Sequence, residues 1–214
     1  MRMLTEEHLW NKIRELEGDR VLVAVGVRAN VQDIGLDKIG VELMNGEYIR
    51  IDESMATNVP NVYAIGDVTG ILPLAHVAQA QAVLAVERIA GMSCPDLNYQ
   101  LMPKATYCHP QVASFGLTEK QALEQGYQVK VGKFPFQANG KALAIGNTEG
   151  MVKVVAEKEY GELLGAHMIG PDVTEMLGEL SLARLLEGTT YEVGSLVHSH
   201  PTLSEALKEA ALNA

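Results

Sequence analysis

The chain has 214 residues, of which 47% are apolar and 21% charged, so it can form a sizeable core and is not a disordered chain. Its 27 acidic and 17 basic side chains give a net charge of −10, whereas nucleic acid and anionic membranes attract clustered Lys and Arg. The longest apolar runs, such as 71–75 and 82–86, are far shorter than the ~20 residues of a membrane span. We therefore expect neither nucleic-acid nor membrane partners.

The cysteines and the N-terminus indicate a reducing compartment. Four glutamates among the first 20 residues interrupt any signal-peptide core, which predicts a cytoplasmic location. Cys94 and Cys108 have neither a CxxC nor a zinc-site spacing, so we interpret both as reduced and structural.

The first part of the chain predicts an α/β sheet. Residues 4–17 have roughly helical spacing of apolar side chains, which predicts a short amphipathic helix closed by Gly18. Two continuous apolar runs, VLVAVG (21–26) and NVYAIGD (61–67), are typical of strands covered on both faces. Residues 74–91 lack an interior Gly or Pro and predict a well-buried helix that ends at Gly91.

The second part predicts an α+β domain, an antiparallel sheet with helices to one side. The Pro-containing and polar segment 92–103 marks the boundary. Strands are expected near 105–107, 111–116, 128–134, 151–157 and 163–169. Three helices are expected. The first begins with a Thr118–Gln121 capping box and ends at Gly126. The second spans 173–187, begins after Asp172 with Glu175 in its first turn and ends at Gly188, and the third follows Pro201.

The segment HSHPTLSE (198–205) has the highest density of reactive side chains. A carboxylate on one ring nitrogen of a histidine raises its basicity and fixes its tautomer, so a His–Glu base is available here. Two other interpretations stay open at this stage. Thr202 and Glu205 have capping-box spacing, and His198 with His200 is a spacing that can ligate a metal.

A second candidate site lies around Asp67. If residues 61–67 form a strand, Asp67 stands at its carboxyl end, just before a helix, where a carboxylate accepts hydrogen bonds from sugar-like hydroxyls. The alternative is that Gly66 and Asp67 form only a turn and a cap.

The order of motifs along the chain resembles the flavin-dependent pyridine nucleotide-disulfide oxidoreductases, and specifically the C-terminal half of their dihydrolipoyl dehydrogenase branch. The resemblance runs from about Arg20 to Ala210. It rests on eight ordered segments: VLVAVG, TNVPNVYAIGD, LPLAHVAQAQA, YCHPQVASFGLTE, VGKFPFQANGKALA, EGMVKVV, LLGAHMIGP and HSHPTLSEA.

The resemblance implies roles for individual residues. His200 corresponds to the active-site base and Glu205 to its orienting carboxylate, and in the family this pair reaches across a dimer interface. His198 corresponds to a supporting histidine. Cofactor contacts are implied for Asp67 at the flavin's ribityl chain, for Pro73, Leu74, Ala75 and His76 near the flavin, and for Gly26 at the NAD site. Residues 27–30 read Val-Arg-Ala-Asn where the family has Arg-x-Pro-Asn.

The resemblance also implies what this chain lacks. It contains neither the family's Cys-x4-Cys pair nor a GxGxxG fingerprint. We expect an unmatched segment over 1–19, part of an FAD/NAD-binding Rossmann-like domain over 20–98 and a dimerisation domain over 99–214. The unmatched segment is interpreted as a new start joined to a truncated gene, or as a short partner helix.

The function implied is that of the family, with FAD and NAD as its cofactors and oxidation of dihydrolipoamide as its reaction. This chain alone is expected to be inactive and to bind no cofactor stably. The implied partners are a second copy of the chain and components of 2-oxo acid dehydrogenase or glycine cleavage complexes. The alternative is a non-catalytic dimerisation or assembly module.

Overall fold

The computed structural model describes residues 2–7 and 12–214, and the chain divides into two compact units, residues 1–97 and 98–214. Each unit is described by itself. Within the described residues, no helix combines the length and the apolar character that crossing a membrane requires.

The N-terminal unit begins with a β-hairpin in place of the expected helix over 4–17. Strands β1 (Arg2–Glu7) and β2 (Lys12–Glu17) pair antiparallel, with Arg2 opposite Glu17. Positions 8–11 of the expected helix lie outside the described residues. The helix prediction was wrong because pairing satisfies the backbone groups of both segments, and such long-range contacts override a weak local periodicity.

The two strands expected at 21–26 and 61–67 are absent as well. Residues 20–34 contain no helix or strand, and Leu22 and Val25 are 90% and 93% exposed. The second segment contributes only an isolated bridge between Tyr63 and Ala56. A strand buried on both faces requires neighbours that bond its backbone and cover its side chains, and no described strand pairs with either segment.

What forms around these segments is a small core of short elements. Its buried residues are Val31, Val41, Ile49 and Ala64. The short elements are α1 (Leu36–Ile39), β3 (Leu43–Met44), β4 (Tyr48–Ile49) and a 3-10 turn (Gly66–Thr69). They are followed by the longer helix α2 (Ala75–Ile89), whose Leu84 and Ala85 form a separate cluster with Met55.

Helix α2 is confirmed, with Gly91 in the left-handed conformation just after its end. The Gly91 and Met92 amides bond back to the last turn of the helix. Its burial was overestimated: Val77 and Leu84 are buried, whereas Val86 is 65% exposed.

The C-terminal unit is built on a five-stranded antiparallel sheet, in the order β5-β6-β9-β8-β7. Each strand lies within two residues of its expected bounds. The strands are β5 (Lys104–Thr106), β6 (Gln111–Gly116), β7 (Val129–Pro135), β8 (Met151–Glu157) and β9 (Leu163–Gly170).

Helices lie on both faces of this sheet. α5 and α7 bury their apolar sides in the main core with Val154, whereas α3 contributes Ala122 to a second cluster with Val155. Adjacent strand residues point to opposite faces, so the expectation of helices on one side was too simple. The helices are α3 (Glu119–Glu124), α4 (Gly140–Ile145), α5 (Val173–Leu185), α6 (Thr190–Ser195) and α7 (Glu205–Leu212).

The helix-boundary predictions had different outcomes. The capping box of α3 is present, with Thr118 and Gln121 bonding each other's backbone amides. Asp172 precedes α5 in a left-handed conformation, and its side chain makes no cap hydrogen bond. Helix α5 ends at Leu185, and the Gly188 amide donates to the Ala183 carbonyl oxygen. Short helices α4 and α6 were not expected.

Candidate active site

The histidine-containing segment between α6 and α7 places His200 beside the first residue of α7. His200 Nδ1 lies 2.8 Å from Glu205 Oε1. The His200 side chain is 76% exposed and that of Glu205 is 27% exposed. With Nδ1 facing the carboxylate, Nε2 is the ring nitrogen available to accept a proton from a reactant. A histidine held in this way can act as a general base.

Glu205 also forms part of the cap that the spacing predicted. Its second oxygen, Oε2, accepts the Thr202 backbone N–H at 2.9 Å. The Thr202 hydroxyl donates instead to the Ser199 carbonyl oxygen at 2.7 Å, so only half of a capping box is present. Glu205 therefore makes both contacts, one oxygen to the His200 ring and the other to the Thr202 backbone, so its geometry is compatible with the base interpretation as well as with the cap.

These contacts stabilise the charged form of the carboxylate. The pKa of Glu205 is lowered, first because it accepts the Thr202 backbone N–H and second because it accepts the His200 ring N–H. Partial removal from water opposes this shift without reversing it. Glu205 is thus an anion at neutral pH and can hold the His200 ring in one orientation.

His198 contacts a different glutamate from the one that contacts His200. Its Nε2 lies 2.9 Å from Glu179 Oε1 on α5, and its side chain is only 4% exposed. Over the described part of the chain, no three His, Cys, Asp or Glu side chains are grouped as metal ligands would be. The two rings are thus bound to separate carboxylates, and His198 ties the segment to α5.

His200 and Glu205 border a concave surface with a volume of about 360 Å³. Asn139, which is 3% exposed, lies in its wall and donates from Nδ2 to the Thr202 carbonyl oxygen at 3.0 Å. The other lining residues are Phe134, Ala138, Gly140, His200, Glu205 and Glu209.

Asn139 and Glu179 were missed as site residues in the sequence. Each bonds a residue of the His200 segment from far along the chain, with separations of 63 and 19 residues. The one available signal was the segment KFPFQAN itself, which carries the resemblance and ends in Asn139, an uncharged amide.

The proposed flavin-contact residues lie at the start of α2. Asp67 is exposed in the 3-10 turn, whose Gly66 amide donates to Gln81 Oε1 of α2 at 2.6 Å. Leu74 is the residue before the helix, and no side chain caps this helix end. The remaining residues, Pro73, Ala75 and His76, are exposed.

These features suit part of a flavin. An exposed carboxylate and an uncapped helix start can bond hydroxyl and polar ring groups. Gly26, by contrast, is exposed in the irregular segment 20–34. A Cβ added there would meet nothing within 4 Å, so its surroundings form no cradle for NAD.

Two family models match the chain. A pyridine nucleotide-disulphide oxidoreductase model matches residues 5–82, and the dimerisation-domain model of the same family matches residues 102–211. The first match begins inside segment 1–19, which contains none of the eight motifs that carry the resemblance.

Similar proteins agree with these matches. A dihydrolipoyl dehydrogenase of Mycobacterium leprae is 55% identical over 199 residues, covering 92% of this chain and 43% of the relative. One of Corynebacterium glutamicum is 52% identical over 204 residues, covering 94% of this chain and 44% of the relative. The chain therefore spans less than half the length of the curated relatives it matches.

Solved structures show the same fold at lower identity. LpdA of Mycobacterium tuberculosis matches with a TM-score of 0.85 at 24% identity, covering 98% of this chain and 47% of that one. The HOCl-induced flavoprotein disulfide reductase RclA of Escherichia coli matches with a TM-score of 0.85 at 20% identity, covering 98% of this chain and 49% of that one.

Proposed function

The chain belongs to the pyridine nucleotide-disulphide oxidoreductase family, and we propose that it carries the acid–base pair and the dimerisation surface of a dihydrolipoyl dehydrogenase. The observation that carries the proposal is the 2.8 Å contact between His200 Nδ1 and Glu205 Oε1 beside an open concave surface. Relatives named dihydrolipoyl dehydrogenase, 46–55% identical over most of the chain, support the choice of reaction.

In the proposed reaction, His200 Nε2 accepts the proton of one thiol of dihydrolipoamide. The resulting thiolate attacks a disulfide of the complete enzyme, so that one S–S bond breaks and a mixed disulfide forms. The second substrate thiol then displaces the first enzyme sulfur, which releases lipoamide and leaves the enzyme dithiol. Glu205 stays ionised and stabilises the imidazolium, which gives the first proton to the enzyme sulfur released when the enzyme S–S bond breaks. The neutral His200 then takes the proton of the second substrate thiol and passes it to the enzyme sulfur displaced in the second step.

The family's cofactors enter this proposal only in part. When bound, FAD would supply the route by which the two electrons of the dithiol reach NAD⁺. Asp67 and the 73–76 segment would contact the ribityl and ring side. Because a GxGxxG turn supplies backbone amides for the pyrophosphate and this chain has none, we expect the purified chain to retain no flavin. Stoichiometric flavin absorbance after gel filtration would contradict this expectation.

A symmetric dimer formed mainly by residues 103–214 is the proposed assembly. The α5 face that carries Met176, Leu177 and Leu180 does not contribute to this surface, because these residues are buried in the unit's own core. Exposed apolar residues instead cluster in sequence after that face: Leu182, Leu185, Leu186, Tyr191, Leu196 and Val197. Light scattering at micromolar concentration should give twice the chain mass, and a monomer would contradict the dimer.

The domain assignment and the cellular setting are part of the same proposal. We assign 20–98 to part of the FAD/NAD-binding domain and 99–214 to dimerisation. A cytoplasmic location and docking to 2-oxo acid dehydrogenase or glycine cleavage complexes are testable by fractionation and co-purification.

The second candidate is a non-catalytic assembly module. The specific observation in its favour is that the sequence contains only two cysteines, 14 positions apart, and so no redox pair of the family's spacing. The two candidates differ in whether His200 does chemistry.

A chimera separates them. Residues 102–211 of this chain would replace the corresponding part of the Mycobacterium leprae relative, and NAD⁺ reduction by dihydrolipoamide would be measured. An active chimera that loses about 10²- to 10⁴-fold in rate with His200→Gln supports the base. The matched control is His109→Gln, an exposed histidine that also precedes a cis proline. Equal rates for both variants would favour the assembly module.

A further inference from the structure

Asn139 stands at the junction between the sheet and the segment that carries His200. It ends the 3-10 turn Phe136–Ala138 and begins α4. Its side chain is 3% exposed and bonds in two directions. Oδ1 accepts the Ala142 amide N–H at 2.9 Å, and Nδ2 donates to the Thr202 carbonyl oxygen at 3.0 Å.

The bond from Asn139 Nδ2 holds Thr202 in place, and Thr202 contacts the same carboxylate, Glu205, as His200 does. The Thr202 amide N–H donates to Glu205 Oε2 at 2.9 Å, while its carbonyl oxygen accepts from Asn139. Both backbone groups of Thr202 are thus bound, one to the α7 carboxylate and one to α4. Movement of Thr202 would pull on the carboxylate whose other oxygen holds the ring.

Asn139 itself is rigidly placed. Its amide donates to the Phe136 carbonyl oxygen at 3.0 Å, and Phe136 is fully buried. The Phe136 amide in turn donates to the Gly150 carbonyl oxygen at 3.1 Å, just before β8. Asn139 can therefore transmit the position of the sheet to the loop.

We propose that Asn139 is a positioning residue for the His200–Glu205 pair, acting through its Nδ2 bond to Thr202. This inference rests on the proposed function, because it assigns meaning to the orientation of His200. It also accounts for the KFPFQAN segment, which otherwise contributes no group to the reaction. The bond to Ala142 is a separate, structural role as a helix cap.

The two roles can be separated by substitution. Asn139→Asp and Asn139→Ser both keep an oxygen that caps α4 well, and both remove Nδ2, the donor to Thr202; the serine hydroxyl lies one bond closer to the backbone than Nδ2. The serine variant adds no charge, so it controls for repulsion between a new carboxylate and the Thr202 carbonyl oxygen. Asn213→Asp is the matched control, since Asn213 Nδ2 also donates to a backbone carbonyl oxygen, that of Lys133 at 3.2 Å.

The experiment uses nuclear magnetic resonance on the purified full chain. One readout is hydrogen exchange of the Thr202 amide, and the other is the ¹⁵N resonance of His200 Nδ1, with Glu205→Gln as the reference for a broken pair. Both Asn139 variants should speed Thr202 exchange about tenfold, the change expected for one lost hydrogen bond. They should also shift the Nδ1 resonance toward its position in Glu205→Gln, whereas Asn213→Asp should leave both signals unchanged.

Two results would overturn the inference. If Glu205→Gln shifts the Nδ1 resonance but both Asn139 variants leave it and Thr202 exchange unchanged, the pair exists without help from Asn139, and the proposed function stands. If Glu205→Gln itself leaves the Nδ1 resonance unchanged, the pair is absent, and the proposed function fails together with the inference.

Discussion

Helix α7 presents Glu205 only as long as its apolar side stays packed against the sheet, and Leu207→Ala tests that packing. Leu207 is fully buried in the main core. The backbone of α7 already lies against the backbone of β7 at Gly132, where even an added Cβ would be only 1.9 Å from the Ala210 carbonyl oxygen. The helix therefore cannot move closer to the sheet to fill the resulting cavity. We therefore expect a cost in the upper half of the Leu→Ala range, about 4 kcal/mol.

Native-state hydrogen exchange is the assay, because it reports on the C-terminal unit alone. The protected amides of β8 and β9 should exchange about a thousandfold faster, since about 1.4 kcal/mol corresponds to a factor of ten. Leu207→Met, which conserves volume, should cost less than about 1.5 kcal/mol. Leu123→Ala, at a position 55% exposed on α3, should change stability by about 0.5 kcal/mol or less. A tenfold change or smaller for Leu207→Ala would refute the packing described for α7.

Three further predictions concern the same unit. The pKa of Glu205 lies below its ordinary value of 4.5, so its stabilising contribution is present above that value and is lost as the pH falls through the folded pKa. Glu205→Gln should therefore flatten the acid limb of urea-midpoint measurements, and an unchanged limb would contradict the shift. Gly132→Ala places a Cβ 1.9 Å from the Ala210 carbonyl oxygen, so thermal unfolding should show a loss of about 1–3 kcal/mol or more, and an unchanged midpoint would refute the close approach. Glu179→Ala leaves the buried His198 ring without its carboxylate and should cost about 1–3 kcal/mol in urea unfolding, whereas no loss would mean that the contact is dispensable.

The antiparallel sheet was predictable because its signals are local. Each strand from β6 to β9 carries its own apolar pattern, and the connection between β8 and β9 is a short Gly-containing hairpin. The capping box of α3 is equally local, since its two partners are three residues apart.

The errors share a different cause, which is dependence on distant partners. An apolar run such as 21–26 becomes a strand only beside neighbours, and no described strand pairs with it. An apolar helix face likewise has no local signal for what covers it, and in α5 Met176, Leu177 and Leu180 lie in the unit's own core.

The candidate site shows the same division. His200 and Glu205 are five residues apart, so a loop followed by a helix start can bring them together, and the family resemblance singled them out among the open interpretations. Asn139 acts from 63 residues away, so its role could be seen only after folding.

The central claim is that His200 accepts the thiol proton of the incoming dithiol. The most direct test is stopped-flow reduction of the chimera described above by dihydrolipoamide, with reduction of the same protein by NADH as the internal reference. NADH delivers electrons without a thiol proton to remove. In His200→Gln, we predict that reduction by dihydrolipoamide slows about 10²- to 10⁴-fold while reduction by NADH keeps its rate. Unchanged reduction by dihydrolipoamide, or an equal loss with both reductants, would contradict the claim.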